Sequence, residues 1–266
     1  MKGLQIIAAA LALAACAGPG GRQAIQEDSV TYWDGTTVMK GYIVYDDSIK
    51  AKRPGVVVVH EWWGITEHTL GEARNLARQG YTAFVADMFG DGKTADNPKD
   101  AGALAGSVRK NPAAMHSRFS AARETLAGHA TVDASRIGAI GFCFGGSVVL
   151  DMARQGVDLR GVTAFHAGLP PSGAPAAPGK VKAKVLVLNG AADPFIKPDT
   201  VEAFKKEMEA ARVDYRYINY PGAVHAFTNP AATENGRKFK LPLAYHAQAD
   251  QQSKSEMRKF LGDVLR

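Results

Sequence analysis

Short apolar runs alternate with segments of helical periodicity along most of the chain. Runs such as "VVVVH" at 56–60 and "AKVLVLNG" at 183–190 are too apolar for half-exposed strands. They are typical of strands buried on both faces of a parallel sheet. The segment 37–46 instead alternates between polar and apolar residues, which predicts an amphipathic strand that is one partner of an antiparallel edge hairpin.

The predicted elements continue in this way to the end of the chain and indicate one domain. Strands are predicted over 37–46, 56–60, 82–87, 136–142, 161–168, 183–190 and 214–222, and helices over 66–80, 112–128, 144–155, 197–212 and 244–265, with 88–111 polar and partly helical. Strands that alternate with helices predict an α/β fold, a mostly parallel central sheet with helices on both faces.

The composition is that of an ordinary globular protein. The 266 residues are 46% hydrophobic and 22% charged, with a formal net charge of +6, which excludes disordered and fibrous classes. The basic residues are scattered rather than clustered, so we expect no nucleic-acid partner. The sequence has no zinc-ligand spacing, phosphate-binding glycine loop or dinucleotide fingerprint, so we predict neither a metal nor a cofactor.

The first 30 residues predict export and attachment to a membrane. Lys2 precedes an apolar run over 4–15 that is too short for a permanent membrane-spanning helix, as in secretory signals. The run ends in "LAAC", which resembles the lipobox of bacterial lipoproteins. We therefore predict a lipoprotein signal peptide over 1–15, lipidation of Cys16 and a flexible tether over 16–30. The alternative is a simple cleaved signal with an incidental cysteine.

Lipidation would anchor the protein to a bacterial membrane, facing the periplasm or the cell exterior. Ala17, directly after the cysteine, favours the outer membrane. If Cys16 carries lipid, Cys143 is the one thiol left of two cysteines, and it has no partner for an intrachain disulfide.

Cys143 lies where a predicted strand becomes a helix, in "RIGAIGFCFGGSVVLDMA". Its Gly-Phe-Cys-Phe-Gly context has the spacing of a nucleophile elbow, with cysteine in place of serine. The helix dipole there favours a thiolate over a thiol, and the amide of Phe144 would face a developing oxyanion. The alternative is a buried cysteine that acts as a small hydrophobe.

Two further residues stand in the order of a nucleophile–acid–base triad. Asp193 follows the predicted strand over 183–190, and His225 lies in the loop after the next strand. All three residues therefore follow the carboxyl ends of strands, where open α/β sheets build their active sites. We predict that His225 activates Cys143 and that Asp193 orients the imidazole. Taken singly, Asp193 could be a turn residue and His225 a loop histidine.

A carboxylate directly after a buried strand is unusual. Glu61 in "VVHEWWG" precedes Trp62 and Trp63, and a carboxylate there is costly without a polar partner or a pocket. The tryptophans indicate a walled cavity, although they could belong to the core and Glu61 to an exposed loop. We expect His60 to form hydrogen bonds behind the site rather than to react.

The segments "HEWWG", "GFCFGG", "NGAADPF" and "PGAVHAF" together resemble the dienelactone hydrolase family of α/β-hydrolases over 38–265. The resemblance implies an α/β-hydrolase fold, with the domain over 31–266. It also implies that Glu61 contacts the resting thiol until substrate displaces it, and that the amides of Phe144 and Trp62 form the oxyanion hole. The expected pocket residues are Trp63, Phe142, His166, Phe227 and Lys93, with a structural role equally open for His166.

One part of the family pattern is absent. The family binds its substrate's carboxylate with arginines, one of them four residues after the catalytic histidine, where this chain has Asn229. In the loop after Asp87, Met88, Phe89 and Lys93 stand where another arginine is expected. Without an arginine fork, bidentate recognition of a carboxylate is weakened. The cations that could replace it are Lys93, Arg109, Arg118 and Arg237.

The sequence therefore predicts a membrane-anchored, cofactor-free hydrolase of small esters or lactones, with a Cys-His-Asp triad and a thioacyl-enzyme intermediate. We expect a monomer by default. The altered arginine positions leave open a catalytically idle lipoprotein that binds a ligand or partner. A third class is a thiol redox protein that depends on Cys143 and an external thiol.

Overall fold

The alternating strands and helices form one eight-stranded sheet in the computed structural model, which describes residues 24–266. The elements in chain order are β1 (Ile25–Asp34), β2 (Thr37–Asp46), β3 (Arg53–Val59), α1 (Glu67–Arg78), β4 (Thr82–Ala86), α2 (Pro98–Arg109), α3 (Pro112–Ala127), β5 (Val132–Phe142), α4 (Phe144–Gln155), β6 (Gly161–Phe165), β7 (Lys184–Gly190), α5 (Pro198–Ala210), β8 (Tyr215–Tyr220), α6 (Ala232–Phe239) and α7 (Ala247–Val264).

The sheet has the strand order β1-β2-β4-β3-β5-β6-β7-β8. β1 and β2 form an antiparallel hairpin, and β2 pairs antiparallel with β4. All pairs from β4 to β8 are parallel. The predicted mostly parallel sheet and the antiparallel hairpin at its edge are both confirmed, with β1 as the outermost strand.

The apolar run of β3 feeds two cores because successive side chains of a strand point to opposite faces. Val57 and Val59 pack in the core that includes residues of α2, α3, α4 and α5. Val56 and Val58 pack in the core that includes residues of α1 and α7. Helices therefore cover both faces, which explains why the sequence of this strand shows no polar alternation.

Asparagine caps and prolines begin the two helices between β4 and β5. The side chain of Asn97 accepts a hydrogen bond from the backbone N–H of Asp100 at 3.0 Å, and Asn111 accepts one from Ala114 at 3.0 Å. A proline follows each cap, where its missing N–H costs no helical hydrogen bond. These local signals place α2 inside the polar stretch predicted to be partly helical.

Two elements differ from the sequence prediction. β1 begins at Ile25, so residues 25–30 belong to the sheet and not to the predicted tether. The strand is mostly polar and exposed, and it is held by its ladder with β2 rather than by a buried face. α6 was not predicted because it is short and polar, and it buries only Ala232 and Gly236.

The predicted signal peptide and the lipidation site Cys16 lie outside the described residues, so export and anchoring stay predictions. Within residues 24–266, no helix combines the length and the apolar character needed to cross a bilayer.

Close backbone approach fixes the turn between β5 and α4. A Cβ atom at Gly145 would lie 2.3 Å from the carbonyl oxygen of Val59, and one at Gly141 would lie 2.1 Å from that of Gly145. These distances are shorter than any real Cβ contact. The two glycines therefore let the start of α4 pack directly against the ends of β3 and β5.

We expect Gly145→Ala to lower the free energy of unfolding by about 1–3 kcal/mol, because the added methyl group forces backbone displacement. Gly102→Ala on α2 is the matched control, since a Cβ there meets no atom within 4 Å. It should be neutral or stabilising by up to ~1 kcal/mol. Equilibrium denaturation measures both, and equal stability of the Gly145→Ala variant and the wild type would contradict this packing.

Candidate active site

Four predicted site residues converge at one edge of the sheet. Glu61 follows β3, Cys143 follows β5, Asp193 follows β7, and His225 lies in the loop after β8. These four strands run parallel, so their carboxyl ends share an edge. A close approach between β7 and the His225 loop contributes, because a Cβ at Gly190 would lie 2.2 Å from the carbonyl oxygen of Ala223.

Cys143 adopts the strained backbone of a nucleophile turn. Its φ of +53° and ψ of −112° are unusual for a residue with a side chain. Its N–H donates to the carbonyl oxygen of Phe165 at 2.9 Å. Phe144 begins α4, so its N–H is among those that the helix leaves without an intrahelical acceptor. This is the position predicted for one oxyanion donor.

The three predicted triad residues are joined by hydrogen bonds. Nε2 of His225 lies 3.0 Å from Sγ of Cys143, and Nδ1 lies 2.7 Å from Oδ2 of Asp193. The second carboxylate oxygen of Asp193 accepts from the N–H of Phe195 at 2.9 Å. The Asp193 side chain is fully buried, so these two hydrogen bonds fix the position of its carboxylate. The bond to Nδ1 also requires a proton on that nitrogen of His225.

The surroundings of His225 favour its charged form. Burial by itself lowers the pKa of His225, but the charge of the Cys143 sulfur and the hydrogen bond to Asp193 outweigh it and raise the pKa to about 10. This folded-state pKa lies above the ordinary value of 6.5. The stability that the charged imidazole contributes is therefore fully present below about pH 6.5 and is lost as the pH rises towards about 10. The geometry fits a thiolate–imidazolium pair.

Glu61 is buried, but it does not hold the thiol. Its carboxylate accepts from Nδ2 of Asn229 at 2.6 Å and lies 3.4 Å from Nδ1 of His68. Among the described residues no hydrogen bond joins Glu61 to Cys143, whose sulfur faces His225. The expected contact between Glu61 and the resting thiol is therefore not found, because Asn229 and His68 satisfy the carboxylate instead.

The charge state of Glu61 follows from these partners. Burial would raise its pKa, but the charge and hydrogen bond of His68, the amide of Asn229 and the charge of His225 together lower it. Conversely, burial would lower the pKa of His68, and the Glu61 carboxylate raises it. Each shift favours the charged form of its group, and the two side chains lie together as a buried ion pair at the edge of the site.

His166 supports the nucleophile turn from behind. Its Nδ1 accepts from the N–H of Cys143 at 3.1 Å, so its Nε2 carries the proton and donates to Oγ1 of Thr228 at 2.9 Å. Burial, and then the positive charges of His225 and His68, hold the pKa of His166 well below its usual value. A neutral His166 matches the structural role that the sequence left open.

A cavity of about 450 Å³ opens beside Cys143. Its walls are mostly apolar, and its polar groups are few. The lining residues are Glu61, Trp62, Trp63, Arg109, Cys143, Gly168, Phe195, Ile196, His225, Ala226, Asn229, Ala232, Asn235, Leu241 and Leu243. The size and lining suit one small organic molecule that reaches the sulfur.

Some predicted pocket residues lie elsewhere. Trp62 and Trp63 line the cavity, but Phe142 stacks on Phe165 inside the core, and Phe227 is buried against His166. They miss the cavity because each side chain points into the core beneath the sheet edge. His166 is also fully buried and does not line it, and Lys93 is exposed on the neighbouring loop.

Of the four cations considered as replacements for the family's arginines, Arg109 alone lines the cavity. Its guanidinium carbon lies 5.4 Å from the centre of the Phe144 ring. Arg118 donates to the carbonyl oxygen of Met88, and Arg237 pairs with Glu234 on the surface. Arg109 is therefore the cation available to a bound molecule.

Several site residues escaped the sequence analysis. His68, Thr228 and the partnering role of Asn229 depend on contacts between α1 and the His225 loop. The apolar wall from Phe195, Ile196, Leu241 and Leu243 comes from loops without a periodic pattern. His60 behaves as expected, since its Nε2 accepts from the N–H of Met88 at 3.2 Å, behind the site.

The sheet order, the strained nucleophile turn and the hydrogen-bonded triad define an α/β-hydrolase. A model of the dienelactone hydrolase family matches residues 39–265, and the chain belongs to that family. The fold and the family predicted from the sequence are thus both confirmed.

Individual relatives agree with this assignment. Protein usf of Aquifex pyrophilus is 31% identical over 196 residues, which cover 72% of this chain and 82% of the relative. An Aquifex aeolicus protein named "Putative carboxymethylenebutenolidase" is 29% identical with the same coverage. The solved structure of a dienelactone hydrolase-like promiscuous phosphotriesterase from metagenomic libraries is 34% identical, with a TM-score of 0.86 over 91% of this chain and 100% of that chain. The chain is a dienelactone hydrolase-like hydrolase.

The part of the chain from residue 24 onward contains no group of three or more histidine, cysteine or acidic side chains arranged to hold a metal ion.

We expect the imidazole of His225 to titrate near pH 10 in the wild type and much lower in Cys143→Ala, because the sulfur provides the largest of the effects that raise its pKa. NMR of ring-labelled histidine measures both titrations. His166 serves as an internal reference, since it should stay neutral in the wild type at pH 6. An unchanged His225 titration in the variant would contradict the thiolate–imidazolium pair.

Proposed function

We propose that this protein hydrolyses small carboxylic esters or lactones through Cys143, His225 and Asp193, with a thioacyl-enzyme intermediate. The observation that carries the proposal is the continuous hydrogen-bonded line from Sγ of Cys143 through His225 to Asp193, at the mouth of an apolar cavity. Membership of the dienelactone hydrolase family supports the same class of reaction.

In the first half of the reaction, the Cys143 thiolate attacks the substrate's carbonyl carbon. The carbonyl oxygen becomes an oxyanion, for which the N–H groups of Phe144 and Trp62 are the proposed donors. Phe144 is suited to this because it begins α4, and Trp62 because it lines the cavity beside the sulfur. When the C–O bond breaks, the proton on Nε2 of His225 passes to the leaving alkoxide.

In the second half, water attacks the thioester. The neutral His225 takes a proton from the water, and the thiolate leaves as the acid product forms. Asp193 keeps Nδ1 of His225 in place during both transfers through the 2.7 Å hydrogen bond. A lactone follows the same course, except that its leaving alkoxide remains part of the product.

Replacing the nucleophile gives the direct test. Full-length wild-type protein mixed with p-nitrophenyl acetate should show a transient acetyl adduct on Cys143 in mass spectrometry and release more than one equivalent of nitrophenol. Cys143→Ala should show no adduct, and its kcat should fall by about 10³-fold or more, because removal of a triad member leaves only residual catalysis.

A matched control is Ser147→Ala, which removes a hydroxyl one turn along α4 that donates to the carbonyl oxygen of Gly168. It should keep both the adduct and the turnover. If Cys143→Ala retained wild-type turnover, the proposal would be wrong. Saturable ligand binding without any adduct in the wild type would favour the catalytically idle class, and peroxide-dependent sulfenic acid turnover would favour the redox class.

A second candidate reaction is the hydrolysis of neutral phosphotriesters. It is favoured by the similarity to the promiscuous phosphotriesterase and by the mostly apolar cavity. The same thiolate would attack phosphorus and displace the best leaving group, which takes the proton from His225 where it needs one, and water would then cleave the S–P bond and release the phosphodiester. The test is release of nitrophenol from paraoxon by the wild type and by Cys143→Ala. Release by the wild type alone would show that the reaction occurs at Cys143.

Arg109 predicts a preference among esters. The described residues provide no acidic partner for its guanidinium, which lines the cavity. Arg109→Met should therefore raise KM about fivefold for an ester that carries a carboxylate, and leave a neutral ester within about twofold, since an exposed ion pair contributes up to ~1 kcal/mol. Arg237→Met, outside the cavity, is the control. Equal changes in KM for both esters would show that Arg109 does not recognise charge.

A further inference from the structure

The carboxylate of Glu61 has a buried cationic partner on α1. Glu61 is 1% exposed, and its Oε2 lies 3.4 Å from Nδ1 of His68, whose side chain is 5% exposed. The amide of Asn229 holds the same oxygen at 2.6 Å. A buried carboxylate needs a counter-charge, because desolvation makes an unpaired one costly. His68 is the side chain that supplies this charge.

The position of Glu61 makes its charge important for the nucleophile. Glu61 and Cys143 line the same cavity, and His225 is close enough to Glu61 for its charge to lower the pKa of that carboxyl group. An uncompensated carboxylate at this place would either repel the Cys143 thiolate or take the thiol as a hydrogen-bond donor. Both effects lower the amount of thiolate paired with His225.

We propose that His68 is a positioning residue that holds Glu61 as a compensated ion pair, and so keeps the Cys143 thiol paired with His225 before any substrate binds. This inference rests on the proposed role of Cys143 as the nucleophile. It departs from the arrangement that the family resemblance implied, in which Glu61 holds the resting thiol. Here the nucleophile is ready without substrate, so the reaction does not require a charged group on the ester to release the thiol.

His68 also reaches the back of the nucleophile turn. Its Nε2 lies 3.4 Å from Oγ1 of Thr228, which accepts from His166, and His166 in turn accepts from the N–H of Cys143. One line of polar contacts thus joins the Glu61 ion pair to the backbone of Cys143. The line passes through side chains that are buried in the core, so its geometry is set by packing.

The remaining charges around the pair come from neighbouring elements. Glu72 on α1 acts on His68 in the same direction as Glu61, and Lys254 on α7 opposes it. Lys254 also forms an ion pair with Glu72 at 2.7 Å, so these two charges largely offset each other. Glu61 itself faces His68, Asn229 and His225. The main counter-charge of Glu61 outside the triad is therefore His68.

The test measures thiol reactivity rather than turnover. The rate at which iodoacetamide alkylates Cys143 in the full-length protein follows its thiolate fraction, and mass spectrometry of the Cys143 peptide reports it without interference from Cys16. His68→Gln keeps a polar side chain but removes the charge. At pH 7 it should slow alkylation about tenfold and move the pH–rate profile to higher pH, because the Glu61 carboxylate loses its counter-charge.

Substitution of Glu61 separates the charge-compensating role of His68 from a role of His68 in packing. His68→Gln combined with Glu61→Gln should return alkylation to within about twofold of the wild type, since no uncompensated carboxylate remains. Glu61→Gln alone should stay within about threefold of the wild type, because His68 can then release its proton. His116→Gln on α3 is the histidine control and should react at the wild-type rate.

Three results would overturn the inference: alkylation of His68→Gln at the wild-type rate, a double variant as slow as His68→Gln, or a tenfold loss in Glu61→Gln alone. If the melting curve shows that His68→Gln does not fold, the alkylation rate of Glu61→Gln still tests the inference, since a tenfold loss there contradicts it. The wild-type protein separates the two proposals. If Cys143 alkylates rapidly at pH 7 but never forms an acetyl adduct, the proposed hydrolysis is wrong and this inference is unaffected.

Discussion

The close contact between the start of α4 and the ends of β3 and β5 governs the whole site. Backbone atoms meet there without intervening side chains, because Gly141 and Gly145 carry no Cβ. This contact holds Cys143 in its strained conformation and directs its sulfur towards the edge of the sheet. It also brings the loop after β3, with Glu61 and the two tryptophans, beside the nucleophile. The chemistry therefore depends on packing at two glycines.

A second constraint is the balance of buried charge at this edge. His225 lies between the sulfur of Cys143 and the carboxylate of Asp193, and the Glu61 carboxylate has its own partner in His68. Each carboxylate is held by at least two hydrogen-bonding or charged groups. Buried charges that are paired and hydrogen-bonded persist, whereas unpaired ones take up or release protons. The resting state of the nucleophile is therefore set by all these groups together.

The convergence of Cys143, Asp193 and His225 could be predicted from the sequence because local patterns mark all three residues. Cys143 stands in a glycine-bounded turn after an apolar strand, and Asp193 and His225 follow two further strands. In a parallel sheet the order along the chain decides which edge a residue occupies, so three strand ends imply one site. The apolar run of β3 likewise predicted a strand covered on both faces. By contrast, the polar β1 and the short α6 lack such patterns: β1 is held by its hairpin ladder with β2, and α6 packs against the loop that follows it.

The sequence by itself determined the fold class and the family, and it placed Cys143, Asp193 and His225 at the ends of strands, because periodicity and turn chemistry are local properties of the chain. The tertiary structure alone decided which side chains meet. It paired Glu61 with His68 on α1 and with Asn229, turned Phe142 and Phe227 into the core, and brought Arg109 into the cavity. The geometry of these contacts depends on how the helices and loops pack on the sheet, which local patterns of the sequence do not specify.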